Sequence, residues 1–140
     1  MSHDISNTDD TIYSRDVIER LEELQAELIE ARDDSGSTTE IDVWINDMAD
    51  DENGMFQDAA KEYMALQSLA GQGEQYAPDW NYGEQLIRDS YFESAMDEMV
   101  ADCYELPKDL PSWMIVTYDY DALRQDYTEI DFDGVAYLIR

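Results

Sequence analysis

Apolar residues recur at helical spacing from Ser14 to Arg32, where Val17, Leu21, Leu24 and Leu28 form a stripe that Ile18 and Ile29 widen. The spacing predicts a helix. A second helical face runs through Phe56, Ala60, Tyr63, Leu66 and Ala70, and Gly71 and Gly73 are expected to stop it. Between the two, the stretch "DDSGSTTE" has turn composition and predicts a linker. That places a polar tail and amphipathic helix at 1–36 and an acidic domain at 37–140, with residues 1–11 frayed. "IDVWINDMADDE", residues 41–52, fits either a short helix or a strand. Further on, Ser90 and Glu93 have the S-x-x-E spacing of a capping box, and Pro107 ends the helix they open. At 100° per residue Phe92, Met96, Met99 and Cys103 lie on one side of it. Cys103 reads as a small core residue. A short helix is predicted from Asp119 to Asp126.

At the C-terminal end the period changes from helical to alternating. In "DYTEIDFDGVAYLIR" the dipeptide Asp133-Gly134 favours a two-residue turn, which pairs Phe132 with Val135, Ile130 with Tyr137 and Thr128 with Ile139. Those pairs make an apolar face. Asp131 and Glu129 then face the other way, opposite Ala136 and Leu138. The expected fold class is α+β, mostly helical with a small C-terminal antiparallel hairpin or sheet.

Composition changes the picture through charge. The 140 residues include 35 Asp plus Glu against 8 Lys plus Arg, a net −27. Acidity of this degree suggests disorder, yet three Trp, ten Tyr and three Phe at regular spacings, with 44% hydrophobic residues, describe a folded chain. No stretch approaches the roughly 18 apolar residues of a membrane span, and no basic plus apolar leader opens the chain, so a cytoplasmic protein is expected. Such a charge repels nucleic acid and anionic lipid and attracts basic protein surfaces.

Several chemistries lose their residues. His3 is the only histidine and lies in the polar tail, which argues against Ser-His or Cys-His catalysis. One cysteine permits neither an intrachain disulfide nor a cysteine-based zinc site. The calcium-loop spacing fails at both acidic glycines: with Gly134 at its sixth position the twelfth is Arg140, and with Gly54 there the first and twelfth are Ala49 and Ala60. No glycine-rich phosphate loop exists, and 35 acids nominate no particular glycosidase pair. A protein without catalytic activity, metal or cofactor is expected.

The helix that follows Ser90 carries Glu93, Asp97, Glu98, Asp102 and Glu105 and no basic residue on that side. Like charges at i,i+4 cost a few tenths of a kcal/mol each, so the sequence accepts repulsion there. Acids four apart rise about 6 Å along a helix, close to the interval between phosphates on one strand. By linear density, 27 charges match roughly 46 Å of duplex. The alternative is a surface that merely solubilises.

The segments "YGEQLIRDSYFESAMDEMVADCYELPKDLP" and "YDYDALRQDYTEIDFDGVAYLIR" resemble the C-terminal part of the ArdA-type antirestriction proteins and their short phage and mobile-element relatives. The likeness is carried by Tyr82-Gly83-Glu84, Leu86-Ile87, Tyr91-Phe92, the acidic helix, and Asp126-Tyr127-Thr128 through Asp131-Phe132-Asp133-Gly134 to Tyr137 and Arg140. It covers about residues 80–140. The resemblance implies an elongated acidic mimic of B-form DNA that occupies the DNA-binding groove of a type I restriction-modification complex. It leaves open a CRISPR complex or another DNA-binding defence protein as target, and a homodimer as assembly. Glu93, Asp97, Glu98, Asp102, Asp126, Glu129, Asp131 and Asp133 carry over as phosphate-mimicking acids. Glu105, Asp119 and Asp121 join them as candidates. Trp80, Tyr82, Tyr91 and Phe92 are expected in the core beneath that surface, and Tyr118, Tyr120 and Tyr127 divide between core and interface. A different class of function is an acidic adaptor that associates through its first helix.

Overall fold

The computed structural model describes residues 5–103, 111, 113–114 and 119–140. Ten elements follow one another: β1 (Thr11–Tyr13), α1 (Ser14–Asp34), α2 (Ile41–Asp50), α3 (Gln57–Tyr76), β2 (Gln85–Arg88), a turn of 3-10 helix at Asp89–Tyr91, α4 (Phe92–Cys103), α5 (Tyr120–Arg124), β3 (Thr128–Phe132) and β4 (Val135–Ile139). The class is α+β. The strands form one antiparallel sheet in the order β1-β2-β4-β3. The β3–β4 hairpin has the register that the Asp-Gly turn predicts, from Thr128 opposite Ile139 to Phe132 opposite Val135. Its turn needs positive φ at both central residues, supplied by Asp133 at 50° and Gly134 at 86°.

The sheet has two packed faces. Ile12, Leu86, Ile130, Phe132, Tyr137 and Ile139 lie in a large core with Val17, Leu24 and Leu28 of α1, Trp44 and Ile45 of α2, and Leu66 and Leu69 of α3. On the opposite face Ile87 stands beside Leu138 and both meet Phe92 and Met96 of α4 in a second, smaller core. Leu138 is therefore buried although it shares a face with Glu129, because α4 covers that part of the sheet. The layers are helices α1 to α3, then sheet, then α4 and α5.

Several sequence expectations are corrected. No packing boundary falls near residue 36: Val17, Leu24 and Leu28 are wholly buried in the core they share with the sheet and α3. Residues 5–10 are tethered, since Arg88 donates to the Thr8 carbonyl and pairs with Asp10, while the Tyr137 hydroxyl donates to the Asp9 carbonyl at 2.5 Å. They lead into β1, whose pairing with β2 is extended by bonds from Arg88 N to Asp10 O and from Ser14 N to Glu84 O. Residues 41–50 are helical. Helix α3 continues through Gly71 and Gly73 to Tyr76, because Trp80 packs on the bare face of Gly73 and needs that position empty. The Ser90–Glu93 capping box does not form; Ser90 belongs to the 3-10 turn, and α4 starts at Phe92. The short helix spans Tyr120–Arg124, capped by Asp119, whose Oδ1 accepts from Ala122 N at 3.1 Å. His3, Glu105, Pro107, Tyr118 and the Cys103 side chain lie outside the described residues.

A buried serine joins the ends of this construction. Ser14, wholly buried, donates from Oγ to the Trp80 carbonyl at 2.8 Å and accepts from Glu84 N at 2.7 Å. Two loop groups that would otherwise be orphaned are satisfied, and β1, α1 and the loop before β2 are held together.

Candidate functional site

Ten of the eleven candidate acids are described, and all ten are exposed. Glu93, Asp97, Glu98 and Asp102 lie on α4; Asp119 and Asp121 cap and open α5; Asp126 follows it; Glu129 and Asp131 are on β3; Asp133 is in the hairpin turn. On α4 the apolar side is fixed by Phe92 and Met96, both buried under the helix. At 100° per residue Glu93 and Asp97 fall along one flank and Glu98 and Asp102 along the other, with the small, exposed Ser94 and Ala101 on the crest between them. Within each flank the two acids rise about 6 Å. On β3 the buried Ile130 and Phe132 turn Glu129 and Asp131 to the face that α4 covers further along.

The ion pairs of the arginines are made with other acids. Arg20 pairs with Glu62 and Glu23, Arg32 with Asp33, Arg88 with Asp10 and Arg124 with Asp89. Among the described residues no ion pair involves any of the ten candidates. The Arg124 and Arg140 guanidinium groups each lie over a ring, Arg124 at 4.8 Å from the Phe92 centroid and Arg140 at 5.9 Å from that of Tyr127. Phe92 and Tyr127 meet edge to face at 5.3 Å. Among the described residues the arginine ion pairs thus lie within α1 or join elements, and none falls on the candidate acids of α4, α5 and β3.

Two hydroxyls that the sequence reading did not assign as holding groups fix carboxylates on that face. Tyr91 donates to Glu98 at 3.0 Å, and Tyr120 donates to Asp97 at 2.6 Å, which ties α5 to α4. The bond to Glu98, followed by desolvation, raises the Tyr91 hydroxyl above its ordinary value of 10.0. The i,i+7 spacing of Tyr91 and Glu98, two helical turns, was visible in the sequence; the 23-residue separation of Tyr120 from Asp97 gave no such signal. Of the aromatics expected in the core, Trp80 and Phe92 are buried and Tyr91 half-buried. Tyr82 is not: at 84% exposure it lies outside the core, in the loop before β2. Tyr120 and Tyr127 are half-buried against the smaller core.

Among the described residues no three His, Cys, Asp or Glu side chains converge as a metal ion would require, and no helix is long and apolar enough to cross a membrane. No protein-family model matches the chain, and no curated protein or solved structure matches it.

Proposed function

We propose that this protein is a DNA-mimic inhibitor, which binds the DNA-binding groove of a basic host defence protein through carboxylates that stand in for phosphates. One observation carries the reading: ten exposed acids on α4, α5 and the β3 hairpin have no ion-pair partner among the described residues, while Arg20, Arg32, Arg88 and Arg124 pair with other acids and Arg140 lies over a ring. A surface that only solubilises intersperses both signs, because separated like charges repel and paired ones do not. The sequence resemblance makes a type I restriction-modification complex the first target to test and a CRISPR effector the second.

The adaptor reading fares less well. It needs the stripe of α1 free, and Val17, Leu24 and Leu28 are internal. Deleting residues 1–36 does not discriminate the two functions, since each buried Leu lost costs about 2–5 kcal/mol against a total stability of about 5–15 kcal/mol.

The test uses acids that accept no side-chain hydrogen bond from the described residues, so that charge changes without loss of a structural contact. Glu93→Gln, Asp121→Asn, Asp126→Asn and Glu129→Gln are made singly and together. Each variant then competes with duplex DNA for the purified target at two salt concentrations. Single changes are expected to weaken inhibition by less than about fivefold, as exposed charges do, and the combined variant by far more. Inhibition should fall steeply with salt. A combined variant that inhibits like the parent, or inhibition that persists under saturating competitor duplex, overturns the proposal.

A further inference from the structure

The two edges of the sheet differ. On the β3 edge the hairpin alternation turns the Asp131 N–H and C=O away from β4, and both are taken: Asp131 N donates to Gln72 Oε1 at 2.9 Å, and Gln72 Nε2 donates to Asp131 O at 2.8 Å. Asn7 Nδ2 also donates to the Asp133 carbonyl at 3.1 Å. At Asp131 a side-chain amide thus occupies the place of another strand. Among the described residues nothing covers the β1 edge in this way. Bonds to β2 are made at Asp10 and Ser14, so the alternation points the N–H and C=O of Thr11 and the N–H of Tyr13 outward. No hydrogen bond from a described residue reaches those three groups, and both residues are exposed.

Two recesses open beside this edge. One, of about 360 Å³, is lined by Asp9, Thr11, Ile12, Tyr13, Asp16 and Gln85. The other, of about 490 Å³, lies against α4 and includes Asp10, Thr11, Gln85, Glu98, Met99 and Asp102. Side chains of an added strand alternate between the two faces of a sheet. Both recesses include acids, and Thr11 and Gln85 line both. A second copy of this chain would bring Asp9, Asp10 and Asp16 against themselves at a net charge of −27 apiece. A lysine- or arginine-bearing strand meets opposite charge in both recesses.

We infer that the free edge of β1 is a docking site for an extended basic segment of a partner protein, which adds to the sheet as a fifth strand. Backbone bonds to Thr11 and Tyr13 hold its main chain, and basic side chains enter the two acidic recesses. The second recess shares Glu98 and Asp102 with the DNA-mimicry reading, but the acids altered to test that reading, Glu93, Asp121, Asp126 and Glu129, line neither recess, so the two tests fail separately.

The probe is a short soluble peptide of alternating Lys and Val, titrated into the full chain while amide hydrogen exchange is followed by NMR. Exchange at the Thr11 and Tyr13 amides is expected to slow on the order of tenfold, with smaller changes across the outer faces of α5 and β3. Methylating the peptide's edge-facing backbone nitrogens keeps its charge, removes its donors and should weaken binding on the order of tenfold. Thr11→Pro removes only an outward donor and should act likewise. Binding without protection at Thr11 and Tyr13, equal affinity of the methylated peptide, or protection of those amides by self-association in the absence of peptide each overturns the inference.

Discussion

Gly71 and Gly73 sit two residues apart in α3, and the same substitution should move stability in opposite directions at the two positions. At Gly71 a Cβ meets nothing within 4 Å, so Gly71→Ala gains the helix propensity of alanine, about 0.5–1 kcal/mol. At Gly73 the Cβ would fall on the six-membered ring of Trp80, inside the 3.0 Å that real contacts do not cross. The indole cannot swing aside cheaply: Trp80 is 1% exposed, its carbonyl accepts from Ser14 Oγ, and its amide donates to the Ala77 carbonyl at 3.1 Å. Overpacking of this kind costs about 1–3 kcal/mol, and a pinned ring argues for the upper end, leaving Gly73→Ala about 2 kcal/mol less stable after the propensity gain. The two variants should differ by about 3 kcal/mol, or roughly 10 °C in melting temperature for a chain of this size. Urea unfolding followed by tryptophan fluorescence measures it, with the midpoint shifting at constant m. If Gly73→Ala is as stable as the parent, Trp80 does not pack on the bare face of α3 and the account of why that helix survives two glycines is wrong.

Two further outcomes concern charge. Melting temperature should rise between 0.05 and 0.5 M NaCl, because screening weakens repulsion among 35 acids more than attraction to 8 bases; a flat or falling trend would show the acids to be well separated. Burial, with Asp9 next in importance, pushes the Tyr137 hydroxyl up to about 12 from 10.0, so the unfolded chain loses this proton first; stability should hold below pH 10 and decline from there to pH 12, and Tyr137→Phe should flatten that decline in a pH series of urea midpoints.

Local signals were legible and distant ones were not. The hairpin register follows from one dipeptide, since a two-residue turn fixes every pair beyond it and alternation then assigns Ile130 and Phe132 to one face, Glu129 and Asp131 to the other. Helix α1 follows from spacing alone, but spacing does not say what covers the stripe, and α1 was set apart from a core that it helps to build. Strands β1 and β2 are three and four residues long, and their pairing spans more than 70 positions, so no window of sequence contains both. Tyr82 was misplaced because its aromatic character, and not its loop position beside Gly83, decided the expectation. Exposure of the carboxylates could be anticipated from composition; the separation of the described candidates from the arginine ion pairs could not, because pairs such as Arg20 with Glu62 or Arg88 with Asp10 join residues that lie far apart in sequence.

Strand β4 is made last among the four and stands between β2 and β3. Vectorial synthesis therefore runs against the order of assembly. As the chain emerges, α1, α2 and α3 can gather, and β1 can find β2, but the inner face of that two-stranded ribbon offers only Ile12 and Leu86 to the helices. Tyr137 and Ile139 arrive with β4, which joins the two halves of the sheet at once and seats Leu138 under α4. Until then β2 has an open side, and an open side is where nascent chains find wrong partners. The density of like charge carried by the earlier segments is suited to that interval, since two unfinished chains repel before their strands can meet.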